Sequence, residues 1–167
     1  MRLKLLAPAL ALVLVTGCGP DSSSPGSSSN GGGGAGTAAR NPCELLTAAE
    51  LGTIVSTVDN LSATPAMTQN GPVGEFQGRK CTWTYPRPEV VTDTAEISVT
   101  AWHGLEYYTP DVTGGFTAVP GIGDAAHVGP GMFMFRKGQD VFLVSVLGDS
   151  NLDALRPAVA KAVVAKL

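Results

Sequence analysis

Two hydrophobic periodicities divide the chain. Over Cys81-Thr82-Trp83-Thr84-Tyr85, apolar and polar side chains alternate strictly until Pro86, which reads as a half-buried strand with Cys81, Trp83 and Tyr85 inward. Ala95 to Trp102 repeats the alternation with Glu96, Ser98 and Thr100 toward solvent, so the two segments read as hairpin neighbours. Met132 to Arg136 and Val141 to Leu147 are instead apolar on both faces, which predicts the centre of a sheet or a second covered surface. Lys137-Gly138-Gln139-Asp140 between them is a turn sequence that closes a second hairpin. Leu61 to Thr68 reads as a further strand, ended by a turn at Gln69-Asn70-Gly71-Pro72.

Helical spacing brackets these strands. Asn41-Pro42 and the capping box Thr47-Ala48-Ala49-Glu50 are both start signals, so a helix is expected from about Pro42 to Ser56, with Leu46, Leu51, Ile54 and Val55 on its apolar face. Between Asp149 and Leu167 the apolar residues Leu152, Leu155, Val159, Val163 and Leu167 recur at helical spacing behind Asp149 or Asn151 as cap. Lys161 and Lys166 suit the negative end of that helix, and Pro157 suggests that its regular part begins only at Arg156. The order predicts an α+β domain: an antiparallel sheet of about five strands with an N-terminal and a C-terminal helix packed on one face.

The stretch AVPGIGDAA, Ala118 to Ala126, asks whether a glycine loop here cradles a phosphate. The third glycine of GxGxxG and the lysine of GxxxxGK[ST] are both absent, Asp124 would repel an anion, and Gly129-Pro130 stops any helix that might follow. A tight turn into a short strand is the better reading, with Asp124 bonding local amides.

Composition changes the picture mainly at the N-terminus. MRLKLLAPALALVLVTGCG has Arg2 and Lys4 ahead of an apolar run too short to span a bilayer, which reads as a signal peptide over residues 1–17. Val15-Thr16-Gly17-Cys18 matches a lipobox, so Cys18 is the expected lipidation site and first mature residue, carrying acyl chains such as palmitate. Residues 18–40, rich in Gly and Ser, hold no Val, Leu, Ile, Met or aromatic side chain and read as a tether. Residues 41–167 then form a single extracytoplasmic domain on the outer face of the cell membrane. Eight basic residues stand against thirteen acids there, with no basic stripe, so nucleic acid is not an expected partner. The remaining cysteines, Cys43 and Cys81, are an even pair in an oxidising compartment, and a disulfide between them is the default. A redox or metal pair would need the local CxxC spacing that they lack.

The N-P-C-x-L-L-T-x-x-E-L start (Asn41 to Leu51), the C-T-W strand (Cys81 to Trp83), the V-P-G-x-G-D-A-A loop (Val119 to Ala126) and the R-K-G-x-x-V-F-L-V-S-V hairpin (Arg136 to Val146) lie in that order behind a lipobox and tether. Together they resemble actinobacterial lipoproteins whose shared domain is classed as having unknown function. The resemblance implies a secreted, lipid-anchored domain with one disulfide and carries over no activity or site residues.

Catalytic motifs are missing. The two histidines, His103 and His127, belong to no HExxH or GxSxG pattern, and no cofactor or metal is expected. His103, Glu106 and Asp111 share one loop and could in principle form a site, although a surface loop packing over the sheet edge explains them more simply. Trp102, His103, Tyr107, Tyr108 and Phe116, interleaved with glycines, form the most binding-like group, able to stack on a sugar, a peptide or a lipid. The expectation is a non-enzymatic binding or accessory module whose partners are the membrane, through its anchor, and an envelope protein or small ligand. The alternatives are a carrier or sensor of a small apolar ligand and, less favoured, a cell-wall or lipid hydrolase.

Overall fold

A computed structural model of the chain describes residues 38–74, 77–88, 93–110 and 115–167. The expected signal segment, Cys18 and the tether as far as residue 37 lie outside them, as does Asp111. The described strands form one antiparallel sheet of seven, two more than the hydrophobic pattern predicts. They are β1 (Ala66–Val73), β2 (Gly78–Pro86), β3 (Thr94–His103), β4 (Thr117–Ala118), β5 (Ala125–Gly129), β6 (Met132–Lys137) and β7 (Asp140–Leu147). Their spatial order is β1-β2-β3-β7-β6-β5-β4. Two meanders thus meet where β3 pairs with β7 in the middle of the sheet. The extra strands are β4 and β5, too short to show a period; β5 is the strand into which the AVPGIGDAA turn leads.

The predicted N-terminal helix is two helices. α1 (Pro42–Leu45) starts at Asn41, whose side chain accepts from the Cys43 amide, and α2 (Ala48–Asp59) starts at Thr47 in a complete capping box with Glu50. Each start signal serves its own helix, because a cap needs extended backbone and Leu46 and Thr47 both adopt it. The predicted turn at Gln69-Asn70-Gly71-Pro72 is also overturned: those residues are inside β1 and paired with β2. β1 is an edge strand, where a proline costs no ladder bond on its solvent side, and the reversal falls one step later, flanked by Gly74 and Gln77 at positive φ. The last helix, α3 (Leu152–Val164), begins well before Arg156 and contains Pro157. The carbonyl that Pro157 leaves unpaired belongs to Asp153, whose side chain is 99% exposed, so water can satisfy it.

Register sorts the side chains. Cys81, Trp83, Tyr85, Ile97, Val99, Phe133, Phe135, Phe142, Val144 and Val146 share one face, and each is at most 1% exposed. They form a single buried cluster with Leu46, Leu51 and Val55 of the N-terminal segment and Leu155, Val159 and Val163 of α3. α3 lies against β6 and β7, α1 against β2 and β3, and α2 against α3. Phe135 stacks on Phe142 at 5.0 Å, so the space between the layers is filled by side chains. The disulfide joins Cys43 of α1 to Cys81 of β2 and ties α1 to the sheet.

The other face carries Thr82, Ser98, Thr100, Trp102, Met132, Met134, Val141 and Leu143. Ser98 and Thr100, expected to face solvent, are buried at 6% and 7% exposure. β3 is an interior strand, so neighbours on β2 and β7 flank both side chains. β7 is central, and its Val141 is fully buried on this second face, which accounts for the doubly apolar pattern.

Candidate functional site

The connection from β3 to β4 must travel from the middle of the sheet to its far edge. It opens with Gly104 at φ 126°, makes a single 3-10 turn (Leu105–Tyr107) against β7, and sends side chains over the second face. Trp102, the penultimate residue of β3, leans over β2: a Cβ on Gly78 would lie 2.8 Å from its Cδ1, so only glycine leaves room for the indole there. Tyr107 stacks on the same indole at 6.2 Å between ring centres, with planes 23° apart. Trp102, Glu106, Tyr107, Thr109 and Met134 together line an open depression of about 260 Å³. The Glu106 carboxylate is folded back over Gly104, where any side chain would collide with both of its oxygens.

A second cluster adjoins it. The Tyr108 hydroxyl and Nδ1 of His127 on β5 are hydrogen bonded at 2.7 Å, and the Arg136 guanidinium lies 5.9 Å over the Tyr108 ring. Burial raises the Tyr108 phenol above its ordinary value, the Arg136 charge opposing it, so the hydroxyl stays protonated and available as a donor.

The structure divides the five aromatic-loop candidates. Trp102 and Tyr107 line the depression, and Tyr108 sits beside it with His127. Phe116 is occupied elsewhere, its ring packed on Gly129 so closely that a Cβ there would be 2.7 Å away. His103 points to the β6–β7 turn, where its Nδ1 lies 2.9 Å from Asp140, whose other oxygen accepts from Arg40. His103 and Glu106 are therefore not brought into one catalytic group. The sequence reading missed Met134, Thr109 and Gly78 as parts of the site. Thr109 follows Tyr107 in the same loop and Gly78 lies on β2 beside β3, whereas Met134 joins them only through the strand order, which places β6 two strands from β3.

AVPGIGDAA is a turn, closed by the Val119 amide donating to the Ala126 carbonyl at 2.8 Å and held from outside through Asp124. Asp124 accepts from the Gly138 amide at 2.8 Å and from Lys137 Nζ at 3.0 Å, fixing the loop to the β6–β7 turn instead of to its own amides. Those bonds, the amide first, lower the Asp124 carboxyl below its ordinary value. Gly123 is at φ 61°, and a Cβ there would strike the Arg136 carbonyl.

A cluster of perturbed titratable groups lies away from the depression. Tyr85 donates to Asp149 Oδ2 at 2.7 Å, Asn151 donates its amide to Asp149 Oδ1 and its side chain to Asp59, and Arg87 lies 3.6 Å from Asp59 and 3.7 Å from Asp149. Burial raises Asp59, the Asn151 bond opposes this, and the neighbouring Asp149 charge raises it further. Burial pushes Asp149 up too, but the Asn151 amide, Tyr85, Asp59 and Arg87 outweigh it and hold that carboxyl below its ordinary value. Neither aspartate side chain has any exposure, so this is a joint among α2, β2 and α3 rather than a cleft in which a substrate could sit. Among the described residues no three His, Cys, Asp or Glu side chains are grouped to hold a metal ion.

No family model, no curated protein and no solved structure matches the chain. Its reading therefore rests on its own residues.

Proposed function

We propose that the protein is a lipid-anchored envelope lipoprotein of the actinobacterial kind, non-enzymatic, whose folded domain binds a small ligand or a partner's side chain through the second face of its sheet. The helices form one layer on the opposite face and keep the sheet rigid beneath the site. The observation that carries this reading is the depression of about 260 Å³ at Trp102, Glu106, Tyr107, Thr109 and Met134. Two aromatic rings, a carboxylate and a hydroxyl converge there on a strand-based platform, the mix of apolar wall and few polar groups that small-molecule sites use. A hydrolase is disfavoured because among the described residues no serine, threonine or cysteine is hydrogen bonded to His103, which pairs with Asp140, and the buried carboxylates are closed off. A carrier that encloses an apolar ligand between helix and sheet is disfavoured because aromatic side chains fill that space.

Two experiments test the two halves of the reading. Cys18→Ser should move the protein from the membrane fraction to the soluble fraction and abolish its labelling by palmitate; a variant that stays membrane-bound would refute the anchor. Native mass spectrometry of the full chain after incubation with an envelope extract should show an adduct that Trp102→Ala and Tyr107→Ala lose. An adduct retained by both variants would place binding elsewhere.

A further inference from the structure

Beyond the ligand reading, and independently of it, we infer that a second copy of this chain docks on the second face of the sheet, so that two sheets pack face to face about a two-fold axis. Register lays three rows of side chains across that face. Lys80, Thr100, Leu143 and Met134 form the first row, Thr82, Ser98, Ser145 and Met132 the second, and Thr84, Glu96 and Leu147 the third. The buried cluster that residues of the helices share lies on the opposite face, so among the described residues no helix covers these rows. Leu147 is 57% exposed although it belongs to β7, the central strand, and Leu143, Met132 and Met134 beside it are only half-buried. An apolar strip of this kind, rimmed by polar side chains, marks a surface that another protein surface covers.

Charge complementarity identifies the occupant, because the three rows are their own complement. When a copy is turned about an axis along the middle row, its third row comes to rest over the first row of the other copy. Leu143 then meets Leu147 of the facing β7, and Lys80 meets the facing β2 one strand, about 4.8 Å, from Glu96. Among the described residues neither Lys80 nor Glu96 takes part in an ion pair, and the dimer supplies each with its partner, twice over by symmetry. Ser98 and Ser145 lie on the axis and face their own counterparts, hydroxyl to hydroxyl. An axis along β7 would instead lay β2 and β3 over β5 and β6, neither of which holds a carboxylate for Lys80. Burying that charge unpaired is strongly destabilising, so the axis across the strands is the one the charges select. Six strands about 4.8 Å apart and three rows about 6.8 Å apart give a footprint of roughly 600 Å² per copy, somewhat below the about 800 Å² of a standard interface, which makes the dimer a reversible one.

Thiol cross-linking of the full chain carrying Cys18→Ser tests the inference. Cys43 and Cys81 are joined to each other, so an introduced cysteine is then the free thiol, and the readout does not depend on the anchor. Under mild oxidation Ser145→Cys, on the axis, should form a disulfide-linked dimer at twice the chain mass, whereas Ser56→Cys on the exposed side of α2 should not. In the Ser145→Cys chain, Leu147→Lys and Glu96→Lys should each lower the dimer yield about tenfold, and adding Lys80→Glu to Glu96→Lys should restore it. Leu147 is exposed and Lys80 and Glu96 are half-buried, and an unchanged circular dichroism spectrum separates a lost contact from a lost fold. Absence of the Ser145→Cys dimer, an equal yield from Ser56→Cys, or failure of the charge swap to restore it would overturn the dimer. A Ser145→Cys adduct with a different envelope protein in place of a second copy would also overturn it and assign the face to that protein. None of these outcomes touches the ligand reading, which the adduct at Trp102 decides separately.

Discussion

Each face of the sheet carries one tryptophan, and the two live under different rules. Trp83 is 1% exposed among Cys81, Tyr85, Ile97 and Val146, in the buried cluster that residues of the helices share and beside the disulfide. Trp102 is half-buried, leaning on Gly78 and Tyr107 at the mouth of an open depression. The first is where the sequence stores stability, and the second is where it leaves chemistry accessible. The sharpest way to break the comparison is to truncate both. Trp83→Ala should cost about 3–5 kcal/mol in urea unfolding and unfold a large share of molecules, because the surrounding aromatics cannot collapse into the space. Trp102→Ala should cost only about 1–2 kcal/mol, since part of its indole is already in water, while abolishing ligand binding. Equal losses of stability would erase the distinction between the faces.

The disulfide sharpens the same contrast. Cys43 and Cys81 close a loop of sequence separation 38 and tie α1 to the closed face. Replacing both with alanine should lower stability by about 2–5 kcal/mol in urea unfolding, yet leave affinity at Trp102 unchanged in whatever fraction remains folded. A parallel loss of affinity would mean that the open face depends on the helical layer more directly than the geometry indicates.

Gly123 and Gly121 make a finer pair. Both have positive φ, but a Cβ on Gly123 would strike the Arg136 carbonyl, whereas nothing lies within 4 Å of one on Gly121. Gly123→Ala should therefore cost about 1–3 kcal/mol, and Gly121→Ala about 1 kcal/mol from backbone strain alone, each read from the thermal midpoint. Loosening this turn should also free Asp124 and with it Arg136, so Gly123→Ala is the variant of the two that should disturb Tyr108.

The closed face was legible in the chain because alternation reports burial directly: Cys81, Trp83 and Tyr85 are inward as their spacing implies. The helix start signals at Asn41 and Thr47 were legible too, but the two were merged into one helix because propensity does not reveal where a chain bends. β1 was misread at Gln69 to Pro72 because turn residues are tolerated on an edge strand, and edge position is a property of the whole sheet. The same limit applies to the site. Trp102 and Tyr107 lie close in sequence and drew notice for their aromaticity, whereas Met134 joins them only through a strand order that no local pattern encodes.

The smallest expected effect concerns the buried joint of Asp59, Arg87, Tyr85 and Asp149, which separates the closed face from the open one in its response to acid. Asp149 is held below its ordinary 3.8, so its contribution is present above that value and is lost as pH falls through its folded value. Glu50, lowered from 4.5 to about 2 chiefly by Lys166 and then Thr47, acts in the same direction over that window, although its exposed position limits its weight. Asp59 has the opposite sign: its folded value is raised above 3.8, so stability is greatest below that value and is lost as pH rises through the folded one. Thermal midpoints across pH should rise out of the acid range and then decline. Asp59→Asn, which keeps an oxygen for Asn151 but cannot ionise, should remove the decline while preserving the acid limb. Asp149→Asn should weaken the acid limb instead, and its outcome is the more informative. If that limb survives unchanged, the acid sensitivity belongs to exposed pairs such as Glu50 with Lys166, and the buried joint contributes shape rather than charge.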